Sequence, residues 1–134
     1  MKLFFLLIAA VSFMQGQISP EQMEPGKRND QYRAWVYFKD KAGSAQANIS
    51  ERARQRRSKN NIQSDNLWLD LIIPNDYIET LKELNIIIRR QSRWLNAVSI
   101  ETDINTLNTI LKFDFIKKVE PVYNFVKGST IGPV

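Results

Sequence analysis

The chain has 134 residues, a net charge of +5, and neither histidine nor cysteine. That composition excludes a Ser-His-Asp or Cys-His catalytic site, a zinc site of the usual His/Cys kind, and any disulfide staple. Apolar packing must therefore hold one modest domain, and the positive balance is compatible with an acidic partner without requiring one.

Taken in order, Lys2 precedes an apolar run from Leu3 to Val11 that has the length of a secretory signal. Small residues at Ala10, Ser12 and Gly16 fit cleavage after Ser12 or after Gly16. The run is short of the roughly 20 apolar residues that a membrane span needs. The expectation is a signal peptide over residues 1–16, export to the periplasm or the extracellular space, and no stable membrane span after its removal; an uncleaved anchor is the alternative. Residues 17–31 are polar, contain Pro20, Pro25 and Gly26, lack periodicity, and read as a flexible lead-in.

Tyr32 to Lys39 (YRAWVYFK) predicts a strand. Its alternation sets Tyr32, Ala34, Val36 and Phe38 on one face and Arg33, Trp35, Tyr37 and Lys39 on the other. A loop around Gly43 follows. Asn48-Ile49-Ser50-Glu51 then opens a helix as a capping box, with Asn48 as the cap. This helix is strongly basic, with Arg52, Arg54, Arg56, Arg57 and Lys59. No aromatic is interleaved for base stacking and the chain carries an export signal, so it reads as a solvated face, and no nucleic-acid partner is expected. The dibasic Arg56-Arg57 pair is a second-rank candidate for protease sensitivity.

Leu67 to Ile73 is apolar enough to be buried or extended, and Pro74 stops it. Asn75 caps a second helix whose apolar stripe is Tyr77, Ile78, Leu81 and Leu84. Asn85 stands where the chain must leave that helix, a position that asks for a left-handed backbone. Ile86 to Arg90 is the next strand, a turn falls near Gln91 to Arg93, and Ser92 to Ile100 is the inner strand of the sheet. Its alternation puts Trp94, Asn96, Val98 and Ile100 on one face and Leu95, Ala97 and Ser99 on the other. Thr102 or Asp103 caps a third helix with Ile104, Leu107, Ile110 and Leu111 as its buried stripe. Phe115 to Val122 is a final strand ended by Pro121. Residues 123–134, with Gly128, Gly132 and Pro133, read as an extended tail, the alternative being a disordered terminus. Asp70, Asp76, Glu79 and Asp103 are scattered in cap or surface positions, so no acid–base pair, metal site or cofactor is expected.

With the basic helix set aside as an insertion, the order is strand, helix, strand, strand, helix, strand. That is an α+β, ferredoxin-like βαββαβ arrangement: one antiparallel sheet with helices on one face, plus an extra basic helix after the first strand. The other sheet face is left free, carrying either Trp35 and Tyr37 or the opposite set. The fold alone assigns no function.

The segments YRAWVYFKDK, ISERARQRR, DLIIPNDYIETLKELNIIIRRQSRWLNAVSIET and LKFDFIKKVEPV, in this order, resemble the N-terminal propeptide of secreted subtilisin-like serine proteases, most strongly those of Bacteroidetes-type bacteria. The likeness spans residues 32–122, the expected propeptide domain. It departs at Asn85, where the family more often has glycine, and the chain stops at Val134 before any catalytic triad. The resemblance implies a non-catalytic intramolecular chaperone and inhibitor of a protease domain, in cis or in trans, present here as a fragment or a stand-alone relative. It also implies that Tyr123, Asn124, Phe125 and Val126 occupy the enzyme's cleft as an added strand. The alternative is a secreted ferredoxin-like binding module with a non-protease partner.

Overall fold

The computed structural model describes residues 16–45, 48–62 and 68–123. Within them lie β1 (Lys27–Arg28), β2 (Gln31–Phe38), β3 (Ile87–Ser92), β4 (Ala97–Thr102) and β5 (Ile116–Pro121). The helices are α1 (Pro20–Met23), α2 (Glu51–Lys59), α3 (Asn75–Lys82) and α4 (Ile104–Ile110), with short 3-10 turns at Glu24–Gly26 and Trp68–Asp70.

All pairings are antiparallel. β2 sits between β4 and β5, β3 flanks β4, and β1 adds a short pairing to the start of β2. Leaving β1 aside, the spatial order β5-β2-β4-β3 is that of a ferredoxin-like sheet, as expected. The register puts Ala34 opposite Ile100 and Val36 opposite both Val98 and Val119, so one sheet face is continuously apolar. Against it pack Ile78 and Leu81 of α3 and Leu107 and Ile110 of α4. The opposite face of β2 carries Arg33, whose charge stays near water and a carboxylate partner, Glu101.

The caps follow local chemistry. Asp103 accepts from the backbone N–H groups of Asn105 and Thr106 and starts α4. Asn85, at φ +55°, takes the left-handed backbone expected after α3. Ser50, not Asn48, caps α2 by accepting from the N–H of Ala53. Pro74 holds the N-cap position of α3 and Asn75 is its first helical residue.

Several expectations need correction. Residues 17–31 are not a structureless lead-in: Ser19 and Gln22 form a reciprocal capping box around α1 and bury Met23 in the core. Gly26 is tight against β2, where a Cβ would lie 2.2 Å from the Arg33 carbonyl oxygen. The inner strand begins at Ala97 rather than Ser92. Residues 93–96 are the hairpin loop, because Asn96 adopts φ +50° and the Ser92 hydroxyl accepts from the Leu95 N–H. Trp94 therefore stands 70% exposed instead of packing in the sheet. In the segment before Pro74, Trp68, Leu69 and Ile72 are exposed while Asp70 and Ile73 are buried.

Beyond the end of β2 the connections are pinned by polar groups. The Lys41 ammonium is buried and donates to the carbonyl oxygens of Trp68 (3.0 Å), Leu71 (2.6 Å) and Arg93 (2.7 Å). Burial lowers its pKa, and the neighbouring Arg93 charge adds to the effect. Asn96 donates from Nδ2 to the carbonyls of Phe38 and Asp40, tying the hairpin loop to the end of β2.

Candidate functional site

The face of the sheet opposite the helices carries the second set of alternating side chains. From β2 come Arg33, Trp35 and Tyr37, which register against Glu101, Ser99 and Ala97 of β4. On the other side, Trp35 stands opposite Glu120 and Tyr37 opposite Lys118 of β5. The centre is thus two half-buried aromatics between small β4 residues, with charge at the rims.

Those charges are paired with one another. Arg33 Nε lies 2.8 Å from Glu101 Oε2, which also receives Arg89 at 3.1 Å. The Arg33 hydrogen bond holds the Glu101 carboxyl below its ordinary pKa, against a smaller opposing effect of burial. Lys118 Nζ donates to Glu120 Oε1 at 2.7 Å and sits 4.6 Å from the centre of the Tyr37 ring. That bond keeps Glu120 ionised to lower pH, while burial and the Glu120 charge raise the Tyr37 hydroxyl. A face whose ions already satisfy one another presents aromatic area to a partner at a low desolvation cost.

The chain leaves the sheet beside this face. The Val122 N–H donates to the Arg33 carbonyl at 2.9 Å, extending the β5–β2 pairing by one bond past Pro121. Tyr123 follows and is 64% exposed. Asn124, Phe125 and Val126, the other residues expected to bind a cleft, lie outside the described residues. The four are thus not brought together with the open face by any described contact.

Sequence alternation found Trp35 and Tyr37 but left open which β2 face is free. It missed Glu101, which reads as the end of a strand and becomes the shared acceptor of two arginines. The period-2 placement of Lys118 and Glu120 was a usable signal for their shared face. Among the described residues no cluster of His, Cys, Asp or Glu is placed to hold a metal, and no helix is long and apolar enough to cross a membrane.

Comparison with known proteins finds no match among curated proteins or solved structures. Comparison with protein families matches residues 33–130 to the peptidase S8 propeptide domain of Bacteroidota. That span takes in β2 from its third residue, β3, β4 and β5, both core helices and the exit from β5. This chain belongs to the peptidase S8 propeptide domain family of Bacteroidota.

Proposed function

We propose that the chain serves a subtilisin-like protease domain, in cis or in trans, first as a template for its folding and then as its inhibitor. The observation that carries this reading is the open sheet face: aromatic at its centre, internally charge-paired, and continuous with the point where the chain exits. The Trp35–Tyr37 face packs on the enzyme's surface, where buried apolar area contributes about 25 cal/mol per Å² before ordering costs. The tail, with Tyr123, Asn124, Phe125 and Val126, lies in the substrate cleft as an added strand whose main-chain groups pair with the enzyme. Binding to the native enzyme stabilises it by mass action, which is the physical content of the chaperone role. The chain itself supplies no catalysis, and residues 1–16 direct its export.

The test is to titrate Gln17–Val134 into a secreted subtilisin-like protease of the same organism and follow peptide hydrolysis. Tight, slow-binding inhibition is expected, weakened by removal of residues 123–134. Replacing Trp35 and Tyr37 together with serine is expected to weaken inhibition by about a hundredfold, the loss typical of two aromatic anchors. Absence of inhibition at micromolar concentration rejects the reading in favour of a binding module with a different partner.

A further inference from the structure

A cleft of about 650 Å³ opens between α2 and the β3–β4 hairpin loop, and its described lining includes none of the open-face residues named above. Its size falls within the range of about 300–1,000 Å³ usual for ligand clefts. Its apolar lining includes Ile62, Leu69 and Trp94, which are 44%, 50% and 70% exposed. Three guanidinium groups line it, those of Arg56, Arg57 and Arg93, together with one carboxylate, Asp70. Arg57 holds Asp70 through two bonds of 2.8 Å, so that carboxylate is already engaged. Arg56 and Arg93 enter no ion pair among the described residues. The buried Lys41 ammonium, bonded to the Arg93 carbonyl, adds positive charge beneath the same loop.

We infer that this cleft binds an acidic peptide segment, one that combines carboxylates with an aliphatic or aromatic side chain. Arg56 and Arg93 supply planar, bidentate partners for carboxylates. Trp94 and Leu69 supply the exposed apolar surface that such a segment covers. A flat anionic membrane meets only the rim of a concave site, and nucleic acid calls for a longer basic track with several stacking rings. The cleft is also remote from the chain exit. β2 runs from Arg33, where Val122 leaves the sheet, to Phe38, whose carbonyl is held by Asn96 of the hairpin loop. Those ends are about 17 Å apart along the strand. A segment in the cleft is therefore compatible with a tail occupying an enzyme, and the site stands independently of the proposed inhibitory role.

The experiment uses the full chain and a fluorescein-labelled pentapeptide alternating glutamate with leucine and phenylalanine, followed by anisotropy. Its counterpart with glutamine for glutamate is the charge control on the unaltered protein. Saturable binding is expected, with the glutamine peptide at least about tenfold weaker. Arg56→Glu and Arg93→Glu are each expected to weaken binding about tenfold, as is Trp94→Ser. Lys27→Glu, an equal change of net charge on β1, is expected to leave binding unchanged. Equal binding of the two peptides, or loss in Lys27→Glu as large as in the cleft variants, overturns the inference. So does tighter binding of a short oligothymidine or of phosphatidylserine vesicles. Protease inhibition is measured on the same Arg93→Glu protein and is expected to be intact, which separates failure here from failure of the inhibitory reading.

Discussion

Asn85 and Asn96 share a left-handed backbone, at φ +55° and +50°. Their side chains behave differently. Asn85 is exposed, and its role is to let the chain turn out of α3 into β3. Asn96 is buried and donates two hydrogen bonds to β2 and the residue after its loop begins. Glycine accepts this backbone without steric cost, at the expense of a more flexible unfolded chain. Asn85→Gly is therefore expected to change stability by less than about 0.5 kcal/mol, and Asn96→Gly to cost about 2 kcal/mol through lost buried hydrogen bonds. Urea unfolding of both variants checks the contrast. Lys41 is the other residue of this kind: in the sequence it is one more cation beside a loop, yet three carbonyls converge on it. Nothing local in DKAGS distinguishes it, because its partners lie 27, 30 and 52 residues away.

At the scale of elements, α2 buries none of its residues, and its mean composition is too polar to bury a face. Its described polar tie to the body is the two-pronged Arg57–Asp70 pair, whose carboxylate side chain is 8% exposed. Breaking a buried pair by removing one partner is strongly destabilising, about 3 kcal/mol even with partial solvation. Asp70→Asn is expected to raise hydrogen exchange across α2 and to speed tryptic cutting after Arg52 to Arg57, with the amides of β4 still protected. Uniform deprotection of α2 and β4 together would show that the pair holds the whole domain rather than one helix. The basic character and solvated face of α2 were legible in its sequence; that one of its arginines anchors it was not. The 3-10 turn at Trp68–Asp70, which presents the carboxylate, is held by Lys41 through the carbonyls of Trp68 and Leu71, contacts that no local pattern announces.

For the whole molecule, the absence of histidine has a thermodynamic consequence. No side chain of ordinary pKa titrates between about pH 5 and 8. Four carboxylates are held below their ordinary values: Glu101 chiefly by Arg33, Asp103 chiefly by the Thr106 hydroxyl, Asp40 chiefly by the Ala42 N–H, and Glu120 chiefly by Lys118. A group whose folded pKa is depressed contributes stability above its unfolded pKa and loses it as pH falls through the folded one. Stability is therefore expected to be flat from about pH 5 to 8 and to fall steadily below about pH 4. Thermal unfolding across that range measures it. A step in melting temperature near pH 6.5 would contradict this account.

The sequence by itself determined the class of fold, the order of its elements and the absence of histidine- or cysteine-based chemistry. Strand alternation and helical stripes are local periodicities, and the backbone geometry that creates them is the same wherever the element ends up. The caps at Asp103 and the turn at Asn85 are equally local. Only the tertiary structure decided which face of β2 stays open, since burial of Ala34 and Val36 depends on α3 and α4 arriving over them. It moved Trp94 from an expected strand to the surface, because Asn96 bonds to the end of β2 and closes the hairpin there. It also drew residues 17–31 onto the sheet, where Met23 finds apolar neighbours that no polar stretch of sequence announces. Each of these outcomes depends on partners far away along the chain, and such partners leave no local period to read.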